Sequence, residues 1–183
     1  MKLLKFVEIQ GVKYPINTDY RVALECDRIL NDVSIDDLDR GILATGLLFG
    51  KDSPYCQEAV DKLGLYLAGG VDMTKSKNQK KIIDFEQHWD LVYSAFKGQY
   101  GIDLHKEDLH YFEFTMLLKG LRKQALTDVI ELMTYDLSQE KDHKRKKEII
   151  EAQKAYEIKS KEIVREVEQH DFISQLSDET KGG

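Results

Sequence analysis

The sequence predicts a mainly α fold: a helical domain with a short N-terminal β-hairpin and a long polar C-terminal helix. Apolar residues recur at helical spacing from Val22 to Leu137, whereas period-two alternation is confined to Lys5 through Ile16. Only two prolines interrupt the 183 residues, and charged residues make up 33% of them, as expected for helices with heavily solvated outer faces. At this length, with 42% hydrophobic residues, one core of ordinary size is expected. The expected organisation is a core domain over 1–137, a polar helix over 138–172 docked on it, and a mobile tail over 173–183.

In KFVEIQGVKYPI, Val7 and Ile9 share a parity that Val12 and Tyr14 continue beyond Gln10-Gly11, which predicts a hairpin. Thr18 or Asp19 can cap a first helix burying Val22, Cys26, Ile29, Leu30 and Val33. Ser34 with Asp37 resembles a capping box, opening a second helix whose face is Leu38, Ile42, Thr45 and Phe49 and whose stop is Gly50. Ser53-Pro54 starts a third, with Ala59, Val60, Leu63 and Leu67 inward and Gly69-Gly70 as terminator. The run VDMTKSKNQKK reads as a flexible connection.

In DFEQHWDLVYSAFKGQYGIDL, Phe85, Trp89, Val92, Tyr93, Phe96 and Tyr100 fall within about 100° of a helical wheel, so the aromatics form a packing face. Asp84 and His88 flank that face at i, i+4, and Glu86 and Asp90 lie on its polar side; the four read as solvated charges rather than an acid-base site. Gly101 ends the helix. Asp103 is expected to cap the next, with Phe114, Leu117, Leu118 and Leu121 inward and Leu109, Phe112 and Met116 on another side. Thr127 to Leu137 continues helically through Ile130 and Met133. Beyond Ser138, Lys and Glu dominate and apolar residues thin to Ile149, Ala152, Tyr156, Ile163 and Val167, with Lys159 and Glu166 breaking any heptad seam.

No catalytic residues, metal ligands or cofactor are read from these patterns. In HKEDLH, His105 and His110 would point about 140° apart on a helix, unlike the i, i+4 pair of a zinc helix. No glycine pattern stands between a strand and a helix as a phosphate-cradling loop requires. Cys26 and Cys56 form no C-x-x-C motif and are expected to be reduced. Neither MKLLKFVEIQ nor GILATGLLFG is long enough in apolar residues for a signal peptide or a span, so no membrane association is expected. Twenty-seven basic against 33 acidic residues give a net charge of −6, which argues against a chain that coats nucleic acid. The basic run around Lys141, Lys144, Arg145, Lys146 and Lys147 is read as a solvated helix face, with nucleic-acid contact as the alternative.

The line from DFEQHWDLVYSAFKGQYGIDL into LHYFEFTMLLKGL resembles the bacteriophage gene-product-fifteen family of tailed phages and prophages of Gram-positive bacteria. The resemblance rests on Asp84-Phe85-Glu86, on Tyr93, Ala95 and Phe96, on Gln99-Tyr100-Gly101-Ile102-Asp103-Leu104, and on Leu109-His110 leading to Leu117-Leu118 and Gly120-Leu121. INTDYRVALECDRIL and KKEIIEAQKAYEI also fit, while Tyr111-Phe112 stands where the family carries tryptophans. The family has no established catalytic motif, and its gene neighbourhood between the tail tube and tape measure genes implies a tail assembly chaperone. The resemblance thus implies a non-enzymatic protein of the host cytoplasm that binds the tape measure protein, tail tube subunits or both. Tyr100, Tyr111 and Phe112 are the candidate partner-binding residues. A minor structural component of the virion tail, and a nucleic-acid-binding regulator using the 141–147 patch, are the alternatives; the oligomeric state is left open.

Overall fold

The computed structural model describes residues 3–69 and 82–159, which form two short strands and seven α-helices. They group into two compact units, the first holding 3–69 and 88–127, the second 82–87 and 128–159. The expected linker at 71–81, the C-terminal helix beyond Lys159 and the tail lie outside the described residues.

The first unit begins with the hairpin. Strands β1 (Phe6–Ile9) and β2 (Val12–Pro15) pair antiparallel with Val7 opposite Tyr14 and Ile9 opposite Val12. This register leaves a two-residue turn at Gln10 and Gly11, both at positive φ, the mirror-image turn that suits the strands' twist. Val7 and Ile9 face the core, while Phe6 and Val12 are exposed.

Helix α1 (Tyr20–Leu30) is capped by Asp19, whose carboxylate accepts from the backbone N–H of Arg21. It buries Tyr20, Ala23, Cys26 and Ile29. Cys26 and Ile29 lie inside as expected, but Val33 falls beyond the helix end and is exposed.

Helix α2 (Asp37–Phe49) departs further from expectation. Its cap is Asp36, not Ser34, whose hydroxyl instead donates to Asp32. The buried face is Gly41, Ala44, Thr45, Leu48 and Phe49, so Leu38 and Ile42 are turned out to solvent. The cause is close packing: a Cβ on Gly41 would come within 3.3 Å of Val60 Cγ2, so α2 sets its small residues against its neighbours α1 and α3. The Cys26 thiol donates to the Ala44 carbonyl at 3.3 Å across the same seam.

A 3₁₀ turn at Gly50–Asp52 precedes α3 (Gln57–Leu67), which is capped by Cys56 and starts three residues later than Pro54 at its first position would give. Ala59 and Leu63 are buried as expected, joined by Tyr66. Helix α4 (Trp89–Tyr100) follows His88 and ends at Gly101, whose left-handed conformation (φ 70°) closes it. Asp84 and Glu86 therefore precede the helix instead of lying on it; the Asp84 carboxylate accepts from the N–H groups of Glu86 and Gln87 and holds a turn.

Asp103 caps no helix. It accepts from His105 N–H, and Lys106 and Glu107 donate to its carbonyl, so 103–107 is a closed turn that drives Leu104 fully into the core. Helix α5 spans only Tyr111–Lys119, and α6 (Ala125–Thr134) follows with Leu126 and Val129 buried. The Thr127 hydroxyl accepts from Gln124 N–H and donates back to its carbonyl, tying the start of α6.

In the second unit, helix α7 (His143–Ala155) is capped by Asp142, which accepts from Lys144 and Arg145 N–H groups. The Gln153 amide donates to the Leu132 carbonyl at 2.9 Å, linking α7 to α6. Gln87 and Lys159 exchange two hydrogen bonds, 2.8 and 2.9 Å, in which a side-chain amide imitates a strand.

Candidate functional site

The core of the first unit is built on rings. Phe114 lies between Tyr20 and Phe96, nearly parallel to both at centroid distances of 4.6 and 5.1 Å. The Tyr20 hydroxyl leaves the stack to donate to the Leu104 carbonyl at 2.6 Å, satisfying its one buried polar atom.

His88 is buried rather than solvated, and its carbonyl accepts from Leu91 and Val92 to open α4. Glu86 and Asp90 are exposed. The two histidines of HKEDLH take unrelated positions. His105 is exposed and lies against the rings of Tyr93 and Trp89, 4.8 and 6.1 Å away. His110 is buried, accepting from Phe112 N–H through Nδ1 at 3.0 Å, with Nε2 2.9 Å from the Leu4 carbonyl. These two contacts are both satisfied when the proton sits on Nε2. Glu113 returns a bond to the His110 N–H and completes a capping box. Among the described residues no three His, Cys, Asp or Glu side chains are grouped to hold a metal ion.

Tyr111 and Phe112 are both buried within the first unit. Their rings pack on Tyr66 at 5.4 and 5.2 Å, and the Tyr111 hydroxyl donates to the Leu67 carbonyl at 2.8 Å. Burial pushes that hydroxyl up to about 12. Tyr100 is half-buried and donates to the Leu117 carbonyl at 2.8 Å. Its neighbour Gln99 grips the turn after α5, donating to Gly120 O and accepting from Arg122 N–H. A Cβ on Gly120 would stand 2.9 Å from the Tyr100 hydroxyl. The motif Gln99-Tyr100-Gly101 together with Gly120-Leu121 is thus a single structural joint between α4 and the end of α5.

The basic run occupies the first two turns of α7. Lys144, Arg145 and Lys147 are exposed and Lys146 is half-buried. Arg145 pairs with Glu140 at 3.3 Å. Four cations at a helix N-terminus oppose its dipole; Asp142 and Glu140 offset this locally.

The surface that sequence reasoning missed is the outer face of α2. Leu38, Ile42, Leu43 and Leu47 are 70%, 40%, 49% and 40% exposed. They surround Gly46, whose Cβ position meets nothing within 4 Å. The signal was present in the sequence: α2 is apolar on nearly every side, and a helix with only one neighbouring face to fill must leave the surplus outside.

The profile described as Bacteriophage Gp15 protein matches residues 1–158. The chain belongs to that family. No curated protein and no solved structure matches it. The Gp15 match includes both units as far as the end of α7, so the α4–α5 joint and the capping box at His110 are features of a phage protein. No helix among the described residues of this Gp15 protein is long and apolar enough to cross a membrane.

Proposed function

We propose that this chain is a non-enzymatic phage tail assembly protein, a chaperone that binds the tape measure protein, tail tube subunits or both in the host cytoplasm during tail morphogenesis. The observation that carries this reading is the apolar surface of the first unit. Phe6 and Val12 on the hairpin, Tyr55 before α3 and the aliphatic row of α2 are all exposed. A chaperone's work needs such binding surfaces and no chemistry. Membership of a phage family supports a phage role, and tail assembly is what the resemblance to that family implies. Tyr111 and Phe112 are buried within the first unit, and in this reading the partner meets the exposed hairpin, Tyr55 and α2 residues.

Co-expression of the full chain with the tape measure and tail tube proteins tests this reading. Both partners, or one of them, should co-purify with the chain, and purified particles should lack it by mass spectrometry. Capture of neither sinks the proposal, and stoichiometric presence in particles makes the chain a structural component of the tail.

A further inference from the structure

Helix α7 is closed by its own last turn: the Tyr156 N–H donates back to the carbonyls of Gln153 and Lys154. Glu157, Ile158 and Lys159 follow outside the helix. The Glu157 N–H still reaches the Lys154 carbonyl at 3.4 Å, but among the described residues Ile158 makes no hydrogen bond and Lys159 makes only two, both with one side chain. Gln87 Nε2 donates to the Lys159 carbonyl at 2.8 Å, and the Lys159 N–H donates to Gln87 Oε1 at 2.9 Å. A primary amide sets a carbonyl acceptor beside an N–H donor, so it pairs with both backbone groups of one residue. It reads backbone alone.

We infer that residues 157–159 are a strap that opens and closes on the turn at 84–87 while α7 stays folded. The turn is fixed separately, because Asp84 Oδ1 accepts from the backbone N–H groups of Glu86 and Gln87 at 2.9 and 3.0 Å. Its Gln87 side chain is therefore a clamp on a rigid base. Both Gln87 and Lys159 are exposed, so water competes for each of the two bonds and the closed state is favoured only modestly. Opening costs nothing else: the bonds that end α7 lie before the strap, and those that hold the turn lie behind the clamp. The clamp grips one extended residue whatever its side chain. The inference uses none of the residues that carry the tail assembly reading, and it holds or fails without that reading.

Amide hydrogen exchange of the full chain, followed residue by residue by nuclear magnetic resonance, is the test. In the native chain the Lys159 amide should exchange about fivefold or more slowly than an unprotected amide of the same sequence, yet faster than the amides in the middle of α7. Gln87→Ala should bring residue 159 to the unprotected rate and leave α7 unchanged. Lys159→Ala should keep the protection, because its side chain takes no part. Lys159→Pro removes the N–H from the strap side, and the Gln87 side-chain amide should then resonate as in a free glutamine. An unprotected Lys159 amide in the native chain overturns the inference, as does protection that survives Gln87→Ala or disappears in Lys159→Ala. So does a Gln87 amide unmoved by Lys159→Pro, or a strap that loses protection only together with α7.

Discussion

The ring of Phe114 lies 4.6 Å from that of Tyr20 and only 13° from parallel, with Phe96 on its other side at 5.1 Å. This three-ring stack joins α1, α4 and α5, and all three rings are fully buried. Phe114→Ala would leave a ring-sized void that its stiff neighbours fill poorly. It should destabilise the chain by about 3–5 kcal/mol, read from urea titrations followed by circular dichroism, with Phe114→Leu costing less. Equal effects for the two would show that ring stacking is not what the site requires.

His110→Ala removes the acceptor for Phe112 N–H and the contact with Leu4 in one step. The expected loss is about 1–2 kcal/mol. His110→Asn restores a cap but cannot reach Leu4, so it should recover about half of that loss by the same titration. Full recovery would mean that the Leu4 contact contributes nothing.

Gln10 holds a φ of 51°, which an L residue with a Cβ adopts at a cost. Replacing it by Asn or Gly, the residues that favour this turn, should stabilise the chain by about 0.5–1 kcal/mol. The Gln10 N–H that donates to Glu58 is backbone and survives either change. A lower melting temperature would show that the Gln10 side chain matters in its own right.

The two thiols should separate cleanly in reactivity. Burial pushes Cys26 up to about 12, with the nearby Glu25 and Asp27 charges adding to it, and its Sγ donates to Ala44. Cys56 is partly exposed. A disulfide reagent at mildly alkaline pH should therefore modify one thiol in the native chain and two after denaturation. Two rapid equivalents under native conditions would contradict the burial of Cys26.

Asp19 sets an acid limit. The paired bonds from Arg21, 2.9 and 2.6 Å, hold its carboxyl below the usual range, against the opposing effect of partial burial. A folded value below the unfolded one, about 3.9, stabilises the native state at every pH above the unfolded value. That contribution disappears as pH falls through the lower folded value. Asp19→Asn keeps a capping acceptor but no charge, so its melting temperature should lie below the native chain's at neutral pH and converge with it in acid. A gap independent of pH would remove the ion pair from the account.

The hairpin, the cap at Asp19 and the stop at Gly101 were legible in the sequence because each is decided by neighbours in the chain. The outward face of α2 was not legible. A helix apolar on most sides fixes no orientation, and it took the 3.3 Å approach of Val60 to Gly41 to decide which side turns inward. The start of α5 was misplaced for a similar reason. Asp103 carries a good capping side chain, but it closes a turn that buries Leu104, and the helix waits for His110, whose second bond goes to Leu4, far away in sequence. The aromatic positions were recognisable as packing material, yet nothing in their spacing distinguished Tyr111 and Phe112, turned into the unit, from a surface a partner could touch.

Tyr20 N–H donates to Leu109 O at 3.0 Å and Tyr111 N–H donates to Thr18 O at 2.8 Å, a reciprocal clasp between the beginnings of α1 and α5. During translation, the ribosome must deliver some ninety further residues after Thr18 before this clasp can close, a delay of about 5–18 s. Throughout that interval Tyr20 has emerged but Phe114 has not, so the nascent chain carries an unfinished nucleus. The expected outcome is that the first unit folds only after this long-range closure, so fragments cut before residue 111 should not acquire protease resistance on their own.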